Sequence, residues 1–466
     1  MKPKIKESSS KTMINKLFKS HYFLISMQFA ALLVFVLLIY SAIGITTQDP
    51  DFAKILRNTN LSNLIVWSYW WPFIIVTAIL FGRFWCSICP MELVTSFVGK
   101  FGLKRKPGKI LKSGWISTLF YAIIIVVGIH TFAIHRIPNL MAAYMLFLFL
   151  VTVAAGLIWE KRTFCTYICP IGHLLGLYSL LSFKELRVID PSVCKNCKTK
   201  SCVSKEKHYN YIGRSCTSEL YPAKISENEA CILCGQCHKS CTYDNIAIKN
   251  RKLATDLFKN IKLTWAEIGF FMIVSGFVVY EILVEWQVTK KIVMAIPNWV
   301  NHSLNISDSF TGTIKALILF VLLPFIFYMI FAAIKKVVAK EGWQESFSQL
   351  VISILPVTAS MHLLKALLKT SSRIPYWNYA LADPKGVKTA RMLINDPKLL
   401  HQDVLFAISP VISISAIFLL IGALTLSLMI IRKKHFEDRT SKMITVFAVL
   451  IYSSIFLITL TAWRLF

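Results

Sequence analysis

The chain is short of acid. Its 466 residues hold 24 Asp and Glu against 52 Lys and Arg, a formal net charge of +28. Common signatures of nucleotide or ester chemistry are missing too: no Walker loop, no G-x-G-x-x-G fingerprint and no G-x-S-x-G elbow occurs. The long apolar runs hold almost no charged residues, which argues against a transporter with charges at the bilayer midplane. Residues 263–466 contain no cysteine, so all 12 cysteines fall in the first part of the chain.

What is abundant is apolar: 55% of the residues are hydrophobic. Crossing a bilayer core takes about 20 apolar residues, and without water there the backbone must satisfy itself as helix. Nine such runs are expected, at 21–46, 63–82, 113–133, 139–159, 264–285, 312–335, 348–368, 404–431 and 444–464. The first is too long for a signal peptide and no small-residue cleavage site follows it, so it reads as retained. The expected fold class is an all-α polytopic membrane protein of about nine transmembrane helices with an inserted cytoplasmic ferredoxin-like domain. Its parts are a basic N-terminus (1–20), a four-helix membrane region (21–185), the soluble insert (186–262) and a five-helix membrane region (263–466).

The excess positive charge is not spread evenly. Lys2, Lys4, Lys6, Lys11, Lys16 and Lys19 precede the first run, and Arg83, Lys100, Lys104, Arg105, Lys106, Lys109 and Lys112 lie between the second and third. Arg432, Lys433, Lys434, Arg439 and Lys442 separate the last two, whereas Arg136 stands alone between the third and fourth. This asymmetry follows the positive-inside rule. It places the N-terminus and the insert in the cytoplasm and the C-terminus outside. Aromatic-interleaved basic stripes are absent beyond these flanks, so no nucleic-acid partner is expected.

Cytoplasmic cysteines are kept reduced, which turns the reading toward metal or redox chemistry. Cys231-Ile-Leu-Cys234-Gly-Gln-Cys237-His-Lys-Ser-Cys241 has ferredoxin spacing. Three thiolates wrap one cubane and the fourth serves the neighbouring cluster. Gly235 suits the tight wrap, since it allows positive φ. Cys194, Cys197, Cys202 and Cys216 form a looser first half. Two [4Fe–4S] clusters are expected, one on Cys194, Cys197, Cys202 and Cys241, the other on Cys216, Cys231, Cys234 and Cys237. Thr217 and Thr242 stand where proline usually follows the last ligand. The alternatives are two zinc sites of four thiolates each, or one cluster with spare thiols.

Four cysteines remain, in two pairs. Phe81-Gly-Arg-Phe-Trp-Cys86-Ser-Ile-Cys89-Pro90 resembles Lys161-Arg-Thr-Phe-Cys165-Thr-Tyr-Ile-Cys169-Pro170. Each follows the second helix of a hairpin and leads into a short amphipathic stretch, so the hairpins read as an internal repeat. On a helix, spacings of three and four put both thiols of a pair on one face, and the following proline ends or bends that helix.

These motifs resemble the membrane iron–sulfur family that includes NapH, the NosR C-terminal half and CcoG. Cys165–Pro170 matches its Cys-x3-Cys-Pro motif, and Cys86–Pro90 is one residue shorter. The resemblance covers residues 20–245 and implies the cytoplasmic (inner) membrane of a bacterium. It implies roles in quinol oxidation, electron delivery to periplasmic nitrogen-oxide enzymes in anaerobic respiration, or copper reduction. The expected function is therefore a membrane-bound relay between cytoplasmic clusters and quinone or a periplasmic respiratory partner, as a component of a quinol-linked oxidoreductase. The alternative is an assembly factor reducing copper or thiols for a respiratory metalloenzyme. Cys86, Cys89, Cys165 and Cys169 are candidates for a further iron–sulfur cluster, a copper site, redox-active dithiols or inert helix ends. Arg83, Lys161 and Arg162 are close enough in sequence to favour thiolates. Membrane lipid, the quinone pool and a respiratory enzyme complex are the expected partners.

Three histidines, His130, His135 and His362, fall in or near the outer halves of the third and seventh runs. They are candidates for haem, for a quinone or copper contact, or for plain interfacial positions. Residues 371–407 read as an external cap or a docking segment.

Overall fold

The computed structural model describes residues 12–20, 22–210, 213–401, 403–434, 436 and 438–465. Lys2, Lys4, Lys6 and Lys11 of the basic N-terminus, and the C-terminal Phe466, lie outside the described residues. Among these residues eight helices are long and apolar enough to cross a membrane: Phe23–Ala42, Leu61–Phe81, Pro138–Ile158, Trp265–Leu283, Phe310–Val338, Trp343–Ala382, Asp403–Lys433 and Arg439–Trp463. The chain is a polytopic membrane protein.

The ninth expected run, 113–133, is a shorter helix, Trp115–Ile129. It starts after Ser113 and Gly114, and Gly114 has a left-handed φ of 81°. Its last turn is π-helical, over Ile124–Ile129. The run's apolar composition therefore overstates its helical length. Among the helices not expected is Gln287–Ser303, whose apolar residues are too interrupted by polar ones to make a spanning run.

The chain divides into two compact units. The first comprises Met1–Leu37, Val76–Ser117 and Met145–Asp256, and it contains all 12 cysteines. Its insert carries little regular structure. Strand β1 (Lys184–Val188) pairs antiparallel with β2 (Ile246–Asn250), with Leu186 opposite Ile248, and these two strands bracket the cysteine array. Between them lie only short pieces such as the helices Pro191–Lys195 and Gln236–Ser240. Gly235 has φ 65°, as its place in the wrap requires.

Helix α1 (Met13–Lys19) is part of this unit's core. Phe18 packs with Leu24, Ile88, Leu186, Cys231, Leu233, Cys237, Ile246 and Ile248. Asn15 is buried and acts as one more rung on β2: the Ile248 N–H donates to its Oδ1 at 2.8 Å and its Nδ2 donates to the Ile248 carbonyl at 3.2 Å. Lys19 pairs with Asp244 at 2.5 Å. A segment that reads as membrane-flanking charge is thus also a structural strap.

The second unit comprises Leu38–Ile75, Thr118–Tyr144 and Leu257–Phe466. Its helices pack around Phe270, Phe271, Val274, Val278, Leu350, Ile354 and Val357, all essentially inaccessible. A Cβ on Gly276 would meet the Leu319 carbonyl oxygen at 2.7 Å, so the close helix approach depends on glycine. Phe406, Ile414 and Phe418 on Asp403–Lys433 stay exposed, as a lipid-facing surface must. Of the expected segment 371–407, residues 374–399 fold as short helices that pack on α3 (Pro50–Thr59), and the helix Asp403–Lys433 begins within its end. Thr59 Oγ1 donates to the Gly386 carbonyl at 2.9 Å and the Leu61 N–H to that of Pro384 at 3.0 Å.

Asn15→Ala should destabilise the cysteine-bearing unit by about 1–3 kcal/mol, because it leaves the Ile248 N–H and carbonyl buried without partners. The check is a lowered thermal midpoint for loss of the unit's visible absorption in anaerobically purified protein.

Candidate iron–sulfur centre

None of the 12 cysteines forms a disulfide. Their mutual electrostatic reach sorts them into three groups of four, all in the first unit. Cys194 interacts with Cys197 and Cys241, and Cys202 with Cys241, Cys194 and Cys197. Cys231 interacts with Cys234 and Cys216, and Cys237 with Cys234, Cys216 and Cys231. The fourth cysteine of each run thus reaches across to the other run's triplet, as the swapped spacing predicts. Cys202 and Cys237 bring the two groups into reach of each other.

The third group joins the two pairs. Cys89 interacts with Cys165, Cys169 and Cys86, and Cys169 with Cys165 and Cys86. The repeat therefore converges on one place, but not through a shared helical face. Cys86 lies on the helix Phe84–Ile88 and Cys165 on the π-helical turn Phe164–Ile168. Cys89 and Cys169 lie just past those turns, out of the helical region, with ψ 132° and 121°. A residue before proline is pushed out of the α region. Pro90 then opens the next helix, Pro90–Val98, where its missing N–H costs nothing. Pro170 instead lies in the turn that precedes the next helix, Gly172–Ser179.

The unequal spacing has a local explanation. Cys169 N–H donates to the Phe164 carbonyl at 2.8 Å, a five-residue step. This π turn absorbs the extra residue of the second repeat.

Sulfur surroundings suit thiolate ligands. Asn245 donates from Nδ2 to Cys194 Sγ at 3.3 Å and from its backbone N–H to Cys241 Sγ at 3.4 Å. The Lys200 N–H reaches Cys197 Sγ at 3.4 Å. At Cys197 burial opposes ionisation, but the hydrogen bonds from Thr199 and Lys200 outweigh it and lower the thiol pKa. Burial pushes Cys231 and Cys169 up to about 12 and Cys202 to about 11, so ionising them requires a compensating positive charge. Among the described residues no three His, Cys, Asp or Glu side chains come close enough to clasp one metal ion.

Cys234-Gly-Gln-Cys237-His238 also spells the pattern for covalent haem attachment. Both its thiols belong to the second group, and His238 Nε2 faces Asp244 at 3.8 Å.

Of the three cations expected near the pairs, Arg162 faces them most directly. Its Nη2 donates to the Cys86 carbonyl at 3.2 Å, and Cys165, Cys234 and Cys86 all lie in its electrostatic reach. Its Nη1 is buried without a protein partner. Arg83 donates to the Glu229 carbonyl at 2.9 Å and lies in reach of Cys169, while Lys161 pairs with Glu219.

Glu92 gave no sequence signal beyond a single acid on an amphipathic stretch. It is 1% exposed. Arg214 and Gln28 hydrogen-bond its carboxylate, Ser96 donates to it at 2.9 Å, and Arg162 Nε lies 3.5 Å away. Burial disfavours its charge, but Arg214 and Arg162 outweigh that and hold its pKa down to about 2.

A family described as "4Fe-4S binding domain" matches residues 63–109 and 141–187. The two matches fall on the two hairpins with their cysteine pairs, not on the eight-cysteine array, and support iron–sulfur binding. Two curated relatives, both from Methanocaldococcus jannaschii, are similar. The uncharacterized protein MJ0750 is 21% identical over 37% of this chain and 75% of its own length. The uncharacterized protein MJ0749 is 27% identical over 36% of this chain and 64% of its own length. No solved structure matches.

Glu92→Gln should destabilise the unit by about 3–5 kcal/mol, since it leaves two buried guanidiniums without their carboxylate. The folded pKa lies below the ordinary 4.5. Its contribution is therefore complete above about pH 4.5 and is lost as pH falls toward about 2. Denaturant titrations of wild type and variant at pH 7 and pH 4 should differ most at pH 7.

Proposed function

We propose that this chain is a membrane-bound electron-transfer protein with three iron–sulfur sites in series. Cys194, Cys197, Cys202 and Cys241 hold the first, Cys216, Cys231, Cys234 and Cys237 the second, and Cys86, Cys89, Cys165 and Cys169 the third. The observation that carries this reading is the linear order of the thiol groups. Cys202 lies within electrostatic reach of Cys237 between the first two, and Arg162 within reach of both Cys234 and the Cys86/Cys165 pair between the last two. [4Fe–4S] clusters at these thiols supply one-electron chemistry. The match of the "4Fe-4S binding domain" family to both hairpins favours a cluster over copper or a dithiol at the third site.

The protein's own groups prepare that route. Asn245 and Lys200 aim N–H donors at three sulfurs of the first group. Arg162 sets a fixed positive charge between the second and third groups, offsetting thiolate charge on both sides. Phe18, Ile88, Leu233 and Ile248 bury Cys231 and Cys237 away from water. The basic segments Lys100–Lys112 and Arg432–Lys442 support a cytoplasmic face for the array. Electrons then pass between a cytoplasmic donor or acceptor and the membrane, with the quinone pool or a periplasmic respiratory protein beyond the third site.

Anaerobic preparations should contain about eight irons from the array and about four more from the third site. Cys241→Ser should weaken the cluster held by Cys194, Cys197 and Cys202 while sparing the one held by Cys231, Cys234 and Cys237, which EPR of the reduced protein distinguishes. Stoichiometric zinc or copper in place of iron would sink the reading.

Replacing Cys86 and Cys169 together should leave the array assembled and remove its exchange with the membrane partner. The double change should be no worse than either single one, because one shared site is already broken. Full exchange in the double variant would move the route elsewhere. Reporter fusions after Lys106 and at the C-terminus should report opposite compartments if Trp115–Ile129 crosses with the eight longer helices.

A further inference from the structure

The two halves of the array differ in charge as well as in spacing. Residues 191–210, around Cys194, Cys197 and Cys202, hold Lys195, Lys198, Lys200, Lys205 and Lys207 against one acid, Glu206. Residues 226–250, around Cys231, Cys234, Cys237 and Cys241, hold Glu227, Glu229 and Asp244 against Lys239 and Lys249. The positive-inside rule concerns charges near the ends of spanning helices. It does not account for a lysine excess confined to one half of the insert.

The halves also differ in access. Cys197 is half-buried, and its neighbours Asn196, Lys198, Thr199 and Lys200 are all exposed. In the second half Ile232, Leu233, Gly235, Gln236 and His238 are buried along with Cys231 and Cys237. Short contacts hold the exposed residues at the first thiol group. Thr199 Oγ1 lies 3.5 Å from Cys197 Sγ and 3.4 Å from Thr242 Oγ1. That contact sets Tyr243, which is 45% exposed, beside the loop carrying Lys198 and Lys200. Lys195 follows Cys194 directly, at the end of the helix Pro191–Lys195. Asp190 and Asp244, the acids that flank this group in sequence, are engaged: Asp190 accepts from the Ser192 N–H at 2.8 Å and Asp244 pairs with Lys19 at 2.5 Å. Among the described residues none of Lys195, Lys198 and Lys200 forms an ion pair, whereas Lys19 and Lys161 in the same unit do.

We propose that Lys195, Lys198 and Lys200, with Tyr243 at their edge, are the docking surface for a small acidic one-electron carrier protein. The inference rests on the relay proposed above and names the class of its cytoplasmic partner. Unpaired lysines beside a thiol group open to water attract a carrier of opposite charge and orient its redox centre toward Cys197. A small, salt-sensitive contact suits a carrier that must leave after each exchange. The carrier loses one electron and the first site gains it, or the reverse; no bond forms and no proton is transferred. An anionic membrane surface fits less well, because it would cover the thiol group through which the carrier must exchange.

The test uses the full chain, purified anaerobically into phosphatidylcholine nanodiscs, with a strongly acidic plant-type [2Fe–2S] ferredoxin as the carrier. Binding is followed by microscale thermophoresis of the labelled ferredoxin. Affinity should fall about tenfold as ionic strength rises from about 0.05 M to about 0.2 M, since salt screens exposed charge. Lys195→Glu combined with Lys198→Glu should weaken binding about tenfold or more, with iron content and the EPR of the reduced protein unchanged. A basic c-type cytochrome should bind that variant more tightly than wild type. If the double variant does not accumulate, Lys195→Gln with Lys198→Gln should weaken ferredoxin binding about threefold. Iron-loaded protein that does not bind ferredoxin, or binds it equally in wild type and variant, overturns the docking surface and leaves the relay standing. A thermal midpoint raised by phosphatidylglycerol in wild type alone, with ferredoxin binding unchanged, assigns the lysines to the membrane instead and also overturns it. Protein without iron overturns both readings.

Discussion

The cysteine-bearing unit is tied together at one buried carboxylate. Glu92 collects Gln28 from the first membrane helix, Ser96 from its own helix, Arg162 from the second cysteine motif and Arg214 from the array. Stretches far apart in sequence meet there with almost no water. A buried ion pair gains little over apolar packing, but removing one partner is severe, which makes such a junction specify an arrangement more than it stabilises one. One carboxylate also faces two guanidiniums. The remaining positive charge lies within electrostatic reach of Cys165 and Cys86, where it favours ionisation of thiols that burial keeps protonated.

The same charge argument separates the thiol groups. The first has N–H donors aimed at its sulfurs. Cys231 and Cys237 are buried and Cys89 and Cys169 half-buried, and the loss of water around their sulfurs raises their pKa values. Metal binding at such thiols would release protons and replace them with cationic metal, which would couple ligation to folding.

How much of this was legible in the sequence depends on the range of the interaction. The spacing marks the array's cysteines as candidates for the swapped grouping, because the wrap around a cubane is local, and Gly235 has the positive φ expected of it. The apolar runs marked the spanning helices, since length and composition are local as well; Trp115–Ile129 fell short because Gly114 and the turn after Ile129 break a run that hydropathy alone leaves whole. What could not be read were partners fixed by tertiary packing. Asn15 looks like one polar residue in a basic tail, and nothing in its neighbourhood announces Ile248, 233 positions away. Glu92 looks like a solvated charge on an amphipathic helix.

The repeat shows how a local rule can serve a distant requirement. The two motifs differ by one residue between their cysteines, and on ideal α-helices that difference would rotate one thiol of the longer pair by about 100° relative to its mate in the shorter. Convergence on one site forbids that rotation. The chain removes it in two steps: a π turn at Phe164–Ile168 takes up the extra residue, and the proline after each second cysteine drives that cysteine out of helical backbone. Cys89 and Cys169 then leave their helices at equivalent points, whatever the helix before them has done. The prolines, rather than the cysteine spacing, are what make the two motifs equivalent. A pairing of Cys-x2-Cys-Pro with Cys-x3-Cys-Pro is therefore a compatible pair of halves and not a degraded repeat.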